Sequence, residues 1–210
     1  FSSLSAEKFI KKFIFEKIRS RYVFVSKNFK FGKKRKGNIF TLKKHEKIYF
    51  FKTIIALPFK KRKQIISSTL IRKKLSIGKV QEANQLLSRP WSVNGKVIKG
   101  MQRGRKIGFP TCNLRLNDYI IPKLGVYSVM IKSERFKKRG IANIGYRPTF
   151  NGQNLLLEVN IFGFNKNLYN KEINVSFLKF IRPEKKFKNF IQLKRQIKID
   201  IIQAKKNVQR

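Results

Sequence analysis

The stretch RGRKIGFPTCN, from Arg103 to Asn113, gathers two glycines, a proline, a threonine and an asparagine in a chain where 51 of 210 residues are Lys or Arg. Glycine lets a backbone pass close to a ligand, while Pro, Thr and Asn build turns whose side chains offer oxygen. Thr111 and Asn113 stand two apart, so an extended segment points both to one face, where a hydroxyl and an amide oxygen can share one hard cation. Gly100, Gly104 and Gly108 permit close passage over phosphate, and exposed amides there can donate to its oxygens. Taken alone, three glycines near Asn94-Gly95 read equally well as hairpin turns. Arg103 and Arg105 either compensate phosphate charge or stand uninvolved on the surface. Cys112 points away from Thr111 and Asn113 and reads as a small buried filler, not a nucleophile. Farther along, Glu158 in LLLEVNIF is a rare carboxylate, one of 10 Asp and Glu residues; the competing reading is an exposed residue on a half-wet sheet. Ser67, Ser68 and Thr69 in ISSTLIR open a helix with Arg72 one turn later, which describes an anion site and an ordinary N-cap equally well.

The elements that carry these residues follow from periodicity. Over residues 5–19, Phe9, Ile10, Phe13, Ile14 and Ile18 recur at helical spacing, with Ser5 as N-cap. YVFVS (22–26) reads as a buried strand and IYFFKTIIAL as a second strand region. The segment 67–90 predicts a short helix, a break at Gly78 and a second helix closed by Pro90. From Trp91 the period changes to two: SVNGKVI, GVYSVMI, GIANIG, LLLEVNIF and INVSFLKFI, separated by Gly, Asn and Pro. Five or six such strands predict a small barrel. A final helix places Phe187, Phe190, Ile191, Ile197, Ile201, Ala204 and Val208 on one apolar face, closing the barrel with its polar side in water.

Composition sets the limits. With 41% hydrophobic residues and 20 Phe, the chain can build a core despite a net charge of +41. One Cys and one His, Cys112 and His45, exclude an internal disulfide and a Cys/His zinc cluster, and fit a reducing, cytoplasmic setting. No apolar run reaches 18 residues, and the first residues lack both an initiator Met and a signal-peptide pattern, so the chain reads as truncated at its front. Of the basic residues, 25 lie in 1–90 and 26 in 91–210. No basic tail stands apart, which favours biased base composition over a dedicated polyanion-binding role.

GKVIKGMQRGRKIGFPTCNL resembles the ATP-binding signature of riboflavin kinases, and the likeness continues through PKLGVYSV, ANIGYRPTF, LLLEVNIFGF, LYNKEINVSFLKFIRPEKKF and LKRQIKIDIIQA. Several short matches in one order are far more specific than a lone glycine motif. Upstream, NFKFGKKRKGN, ISSTLIR and ANQLLSRPW resemble the later part of the adenylyltransferase domain of bacterial bifunctional FAD synthetases. The resemblance implies an α+β chain. Residues 1–90 would be the partial end of an α/β nucleotidyltransferase domain, and 91–210 an antiparallel riboflavin kinase barrel with its C-terminal helix.

It further implies ATP and riboflavin as substrates and FMN as product, with Mg2+ and ATP phosphates at Gly100, Gly104, Arg105, Gly108, Pro110, Thr111 and Asn113, the metal on Thr111 and Asn113. Glu158 becomes the base for the riboflavin 5′-hydroxyl. Arg182 and Phe187 in FIRPEKKF border the flavin, with the helix core as the competing reading for Phe187. Arg147 and Thr149 in GYRPTF are ligand-shell residues or turn formers around Pro148. Asn28, Ser67, Ser68, Thr69 and Arg72 form an adenylyltransferase remnant. Two departures count against that remnant: Ser26 replaces the usual glycine, and the family's His-x-Gly-His signature does not occur in this sequence. A chain without that signature is expected not to make FAD. Partners are then small molecules, with no membrane and only nonspecific contact with nucleic acid through charge. The alternative function is a basic barrel that grips RNA or DNA, with exposed Phe and Tyr stacking on bases.

Overall fold

The computed structural model describes residues 3–61, 64–100, 103–116, 119–149 and 152–206. The chain divides into two compact units, Phe1–Ile66 and Ser67–Arg210.

In the first unit Ser5 Oγ accepts from the Lys8 amide at 3.2 Å and starts α1 (Ala6–Phe9), which runs on as a π-helical segment, Ile10–Lys17. Strand β1 (Tyr22–Ser26) pairs in parallel with β2 (Lys52–Ala56), and α2 (Ile39–Tyr49) forms the crossover between them. This is an α/β arrangement, as expected. Two local expectations need correction. The run IYFFKTIIAL does not begin as strand, because Asn38 and Thr41 form a reciprocal capping box that starts a helix reaching Tyr49. Phe50 then adopts the left-handed conformation (φ 53°) that ends it. Nor is YVFVS buried as a whole: Val25 packs with Ile10, Leu42 and Phe51, while Tyr22 and Phe24 on the other face are exposed. The short pair β3 (Lys60–Lys61) and β4 (Gln64–Ile65) completes this unit.

The second unit opens with α3 (Ser68–Ser76) and α4 (Val80–Leu87), separated at Gly78 (φ 82°) as the sequence predicts. Packing groups these helices with the strands C-terminal to them, whereas the expected boundary lay after Pro90. Leu75, Val80 and Ala83 are buried in the same core as Trp91 and Phe177. Asn84 of α4 donates to the Phe177 carbonyl at 2.8 Å and accepts from the Trp91 amide at 2.7 Å. Then come β5 (Ser92–Lys96), α5 (Arg103–Lys106), β6 (Cys112–Arg115), β7 (Gly125–Lys132), β8 (Lys137–Thr149), β9 (Gly152–Ile161) and β10 (Glu172–Arg182). The six strands form one antiparallel sheet in the order β5-β10-β7-β8-β9-β6. A bridge between Ile98 and Asn113 returns the far edge to the segment after β5, so the sheet nearly closes into a barrel. Alternate residues such as Val93, Leu114, Tyr127, Ile144, Leu157 and Phe177 fill its interior.

Helix α6 (Phe190–Lys206) packs Ile197, Ile201 and Ala204 against Val126 and Ile141 on the outer face of the sheet. Phe187, Phe190 and Ile191 do not share that buried face. Asn189 Oδ1 accepts from the Gln192 amide at 2.9 Å and fixes the helix start at Phe190. Phe187 therefore precedes the helix, and Phe190 and Ile191 are exposed. Val208 and the side chain of Thr149 lie outside the described residues. Among the described residues no helix is long and apolar enough to cross a membrane.

Candidate active site

The interior of the barrel is filled, so the site lies on its outer face. Antiparallel register aligns Asn113 of β6 with Glu158 of β9, and Glu158 with Asn143 of β8. Directly opposed residues share a face with Cβ atoms about 5 Å apart, which makes an amide–carboxylate–amide row across three strands. The neighbours Leu114, Leu157, Val159, Ala142 and Ile144 point the other way, into the core. Asn113 is 6% exposed, and its Oδ1 is buried without a hydrogen-bond partner; Asn143 Oδ1 is in the same condition. A buried acceptor left unpaired costs about 1–3 kcal/mol, so these two oxygens are suited to a cation or donor supplied by a ligand. The row lines a cavity of about 680 Å³ whose wall includes the segment after β5 and, on its apolar side, Phe187, Leu193 and Ile197.

The glycine-rich segment runs close against the Asn113 side chain and the Phe109 backbone. A Cβ on Gly100 would overlap Asn113 Nδ2, and one on Gly104 would overlap the Phe109 carbonyl and come to 3.4 Å from Thr111 Oγ1. Close approach is thus the reason for both glycines. Gly108 serves differently: its φ of 85° closes the turn after α5. The bend is tied to β9, because Asn160 Nδ2 donates to the Pro110 carbonyl at 2.8 Å. Thr111 lines the large cavity and also a second one of about 180 Å³, with Arg105, Cys112, Phe164 and Tyr169 among its walls. Cys112 donates to the Val159 carbonyl at 3.6 Å and packs against the core. Burial pushes its thiol up to about 12, consistent with a filler.

Two ion-pair systems border the row, and sequence reasoning read neither. Arg147 donates from Nη2 (2.7 Å) and Nε (3.2 Å) to Glu158 Oε2, and from Nη1 to Glu184 Oε1 at 3.1 Å. Asn143 Nδ2 donates to the same Glu184 oxygen at 2.9 Å. Burial pulls the Arg147 pKa down, but the bond to Glu158 and its charge, joined by Glu184, outweigh burial and hold it above its ordinary value. Arg147 is therefore a strand residue engaged with carboxylates, not a turn former: β8 continues through Pro148 to Thr149. In the second system Arg182 Nε and Nη2 grip Asp200 at 2.9 and 2.7 Å, and Gln196 Nε2 adds a third bond at 2.9 Å to a carboxylate only 1% exposed. Phe187 faces this guanidinium, 5.8 Å from ring centre to Cζ. Arg182 and Phe187 both line the cavity, with Arg182 engaged by α6. The missed partners are single polar letters in β8, in the loop after β10 and on α6, and only tertiary packing brings them together.

Of the remaining candidates, Ser67 Oγ accepts from the Leu70 amide at 3.2 Å, so this serine acts as the N-cap of α3, followed by exposed Ser68, Thr69 and Arg72. Asn28 sits in an exposed turn of the first unit.

Residues 87–208 match the riboflavin kinase (Flavokinase) family model, and residues 1–70 match the FAD synthetase family model. A bifunctional riboflavin kinase/FMN adenylyltransferase of Buchnera aphidicola subsp. Schizaphis graminum is 45% identical over 98% of this chain and 67% of its own length. The protein of that name from Haemophilus influenzae is 39% identical over 98% and 67%. This chain thus spans about two thirds of the length of these relatives. A crystal structure described as a macrolide-efflux protein from Streptococcus pneumoniae superposes with a TM-score of 0.80 at 35% identity, over 98% of this chain and 66% of that one.

Proposed function

The chain belongs to the riboflavin kinase family, and from that premise we propose that it transfers the γ-phosphoryl group of ATP to the 5′-hydroxyl of riboflavin, giving FMN and ADP. The observation that carries the reading is the pairing of Asn113 with Glu158 across one register of the sheet, on the wall of a cavity that Thr111 shares with a smaller neighbour. That arrangement suits an alcohol in the large cavity, a nucleotide reaching in from the small one, and phosphate passing the Thr111 bend.

In this mechanism the new bond joins the 5′-oxygen to the γ-phosphorus while the bond from that phosphorus to the bridging oxygen of ADP breaks. Glu158 receives the hydroxyl proton, help typically worth ~10²- to 10⁴-fold. A loose phosphoryl transition state depends chiefly on alignment and charge neutralisation, which falls to the bend and its glycines. Thr111 and Asn113 would hold Mg2+, whose chemistry is to neutralise the phosphate oxygens; the buried, unpaired Asn113 Oδ1 is a hard donor of the kind that ion takes. Phe187 offers an apolar surface for the flavin ring, supported by the Arg182–Asp200 pair.

The matched families and relatives are named for flavin chemistry, which leaves the nucleic-acid alternative unsupported. Incubation with riboflavin and MgATP, followed by separation of the flavins, is expected to yield FMN without FAD. Glu158→Ala should slow FMN formation by ~10²- to 10⁴-fold, and Thr111→Ala should abolish it, in folded protein. Wild-type rates from both variants would reject the residue roles, and no FMN from the unaltered chain would reject the activity.

A further inference from the structure

The polar chain on the outer face continues beyond the carboxylate that takes the proton, and its geometry gives that continuation a task. Arg147 stands four residues past Asn143 on β8, hence on the same face, and both of its bonds to Glu158 fall on Oε2. Among the described residues Oε1 has no hydrogen-bond partner and remains available to a hydroxyl. A carboxylate clamped through one oxygen is held in one rotamer, with its second oxygen presented in a fixed direction. Arg147 is in turn fixed from behind. Its Nη1 donates to Glu184 Oε1 and to the Tyr146 carbonyl at 3.0 Å, and Asn143 Nδ2 meets the same Glu184 oxygen. Glu184 reaches this seat across Gly145, where an added Cβ would collide with its carboxylate. Glycine at that point of the strand leaves the Glu184 carboxylate room to sit there, and any side chain would push it aside.

We infer that Arg147 is a positioning residue for the phosphoryl transfer, acting through Glu158 and itself set in place by Glu184. The inference rests on Glu158 being the base, and it makes a different prediction from that reading. Arg147 lines the large cavity but commits its donors to Glu158, Glu184 and the Tyr146 carbonyl, so its loss should act mainly on turnover and little on flavin affinity. Glu184 also links the chemistry to the segment that carries Phe187, since both lie between β10 and α6.

The test is steady-state FMN formation by Arg147→Ala, Arg147→Lys and Glu184→Gln, each also made in a Glu158→Ala background, with riboflavin affinity and thermal unfolding measured alongside. Arg147→Ala should lower kcat about 10²-fold, the low end of what a well-placed base contributes, with the riboflavin KM within about threefold of wild type. Arg147→Lys should recover part of the loss, because it keeps the charge but not the forked grip. Glu184→Gln should cost about tenfold, as an indirect support. In the Glu158→Ala background the residual rate should change less than about twofold on removing Arg147, since a residue acting through another has nothing left to position. An unchanged kcat, a loss confined to KM, or additive losses in the double variant would overturn the inference. Should Arg147→Ala fail to fold, Arg147→Lys and Glu184→Gln decide by the same split. If Glu158→Ala itself turns over normally, the base assignment fails; if Glu158→Ala is slowed and Arg147→Ala keeps the wild-type kcat, the positioning role alone fails.

Discussion

Replacing Gly100 by alanine isolates its contact with Asn113, the side chain proposed to hold Mg2+. The new methyl would overlap Asn113 Nδ2 far inside the 3.0 Å that real Cβ contacts respect. Asn113 is 6% exposed and belongs to a paired strand, so its amide has little room to swing away. Either that amide or the backbone at residue 100 must retreat by about 1 Å, and a misplacement of that size at a reacting centre costs roughly 10²-fold in rate. Overpacking of the same kind costs about 1–3 kcal/mol of stability. Initial rates of FMN formation over a range of MgATP and riboflavin should therefore show kcat/KM for MgATP down roughly 10²-fold with riboflavin affinity unchanged. Urea unfolding reports the accompanying stability loss. Gly163→Ala is the control: its φ of 59° imposes strain of about 1–2 kcal/mol, but the added Cβ meets nothing within 4 Å. It should destabilise without slowing turnover selectively toward MgATP. Wild-type turnover by Gly100→Ala would refute the reasoning, because Asn113 would then have no fixed place to keep.

Asp200→Ala leaves Arg182, whose side chain is 13% exposed, without its counter-charge, and removal of one partner from such a buried pair costs about 3–5 kcal/mol. Chemical denaturation should show that loss, and a change below about 1 kcal/mol would mean α6 is held by its apolar face alone. For Cys112, a thiol raised from 9.0 to about 12 gives a native thiolate fraction roughly 10³ lower than in the unfolded chain near neutral pH. Alkylation of the native protein at pH 8 should be slower by about that factor than in urea. Equal rates would show the thiol is not shielded. Because the folded pKa is the raised one, the stabilisation from keeping this thiol neutral is complete below about 9 and is lost as pH climbs toward 12.

The sequence made the barrel legible because strands such as Glu172–Arg182 and Gly152–Ile161 carry apolar residues that recur at period two, and that period points to the letters that turn inward. Glu158 stood out for a related reason, as a carboxylate interrupting an apolar alternation. Strand β6 was hidden within the glycine segment, since four residues offer too short a pattern to distinguish from a loop. The Arg147–Glu158–Glu184 cluster was unreadable because its members are 11 and 37 residues from Arg147 and meet only in the folded chain, across β8 and β9 and from the loop after β10. Capping misled in both directions. Asn38 and Thr41 overrode an aromatic run that looked like strand, and Asn189 shifted the last helix past Phe187. Single polar residues at helix starts decide boundaries that apolar periodicity blurs.

The tie from Asn160 to the Pro110 carbonyl has a consequence for how such an enzyme changes over time. With Asn113 paired to β9 and the Pro110 carbonyl tied to Asn160 of that strand, the spacing between the glycine-rich bend and Glu158 is written into a ladder of backbone hydrogen bonds, in steps no smaller than two residues. Surface excursions on either side can lengthen, shorten or exchange their side chains while that spacing stays fixed. Selectivity for the alcohol or the nucleotide is thereby free to drift, and the reaction itself stays put.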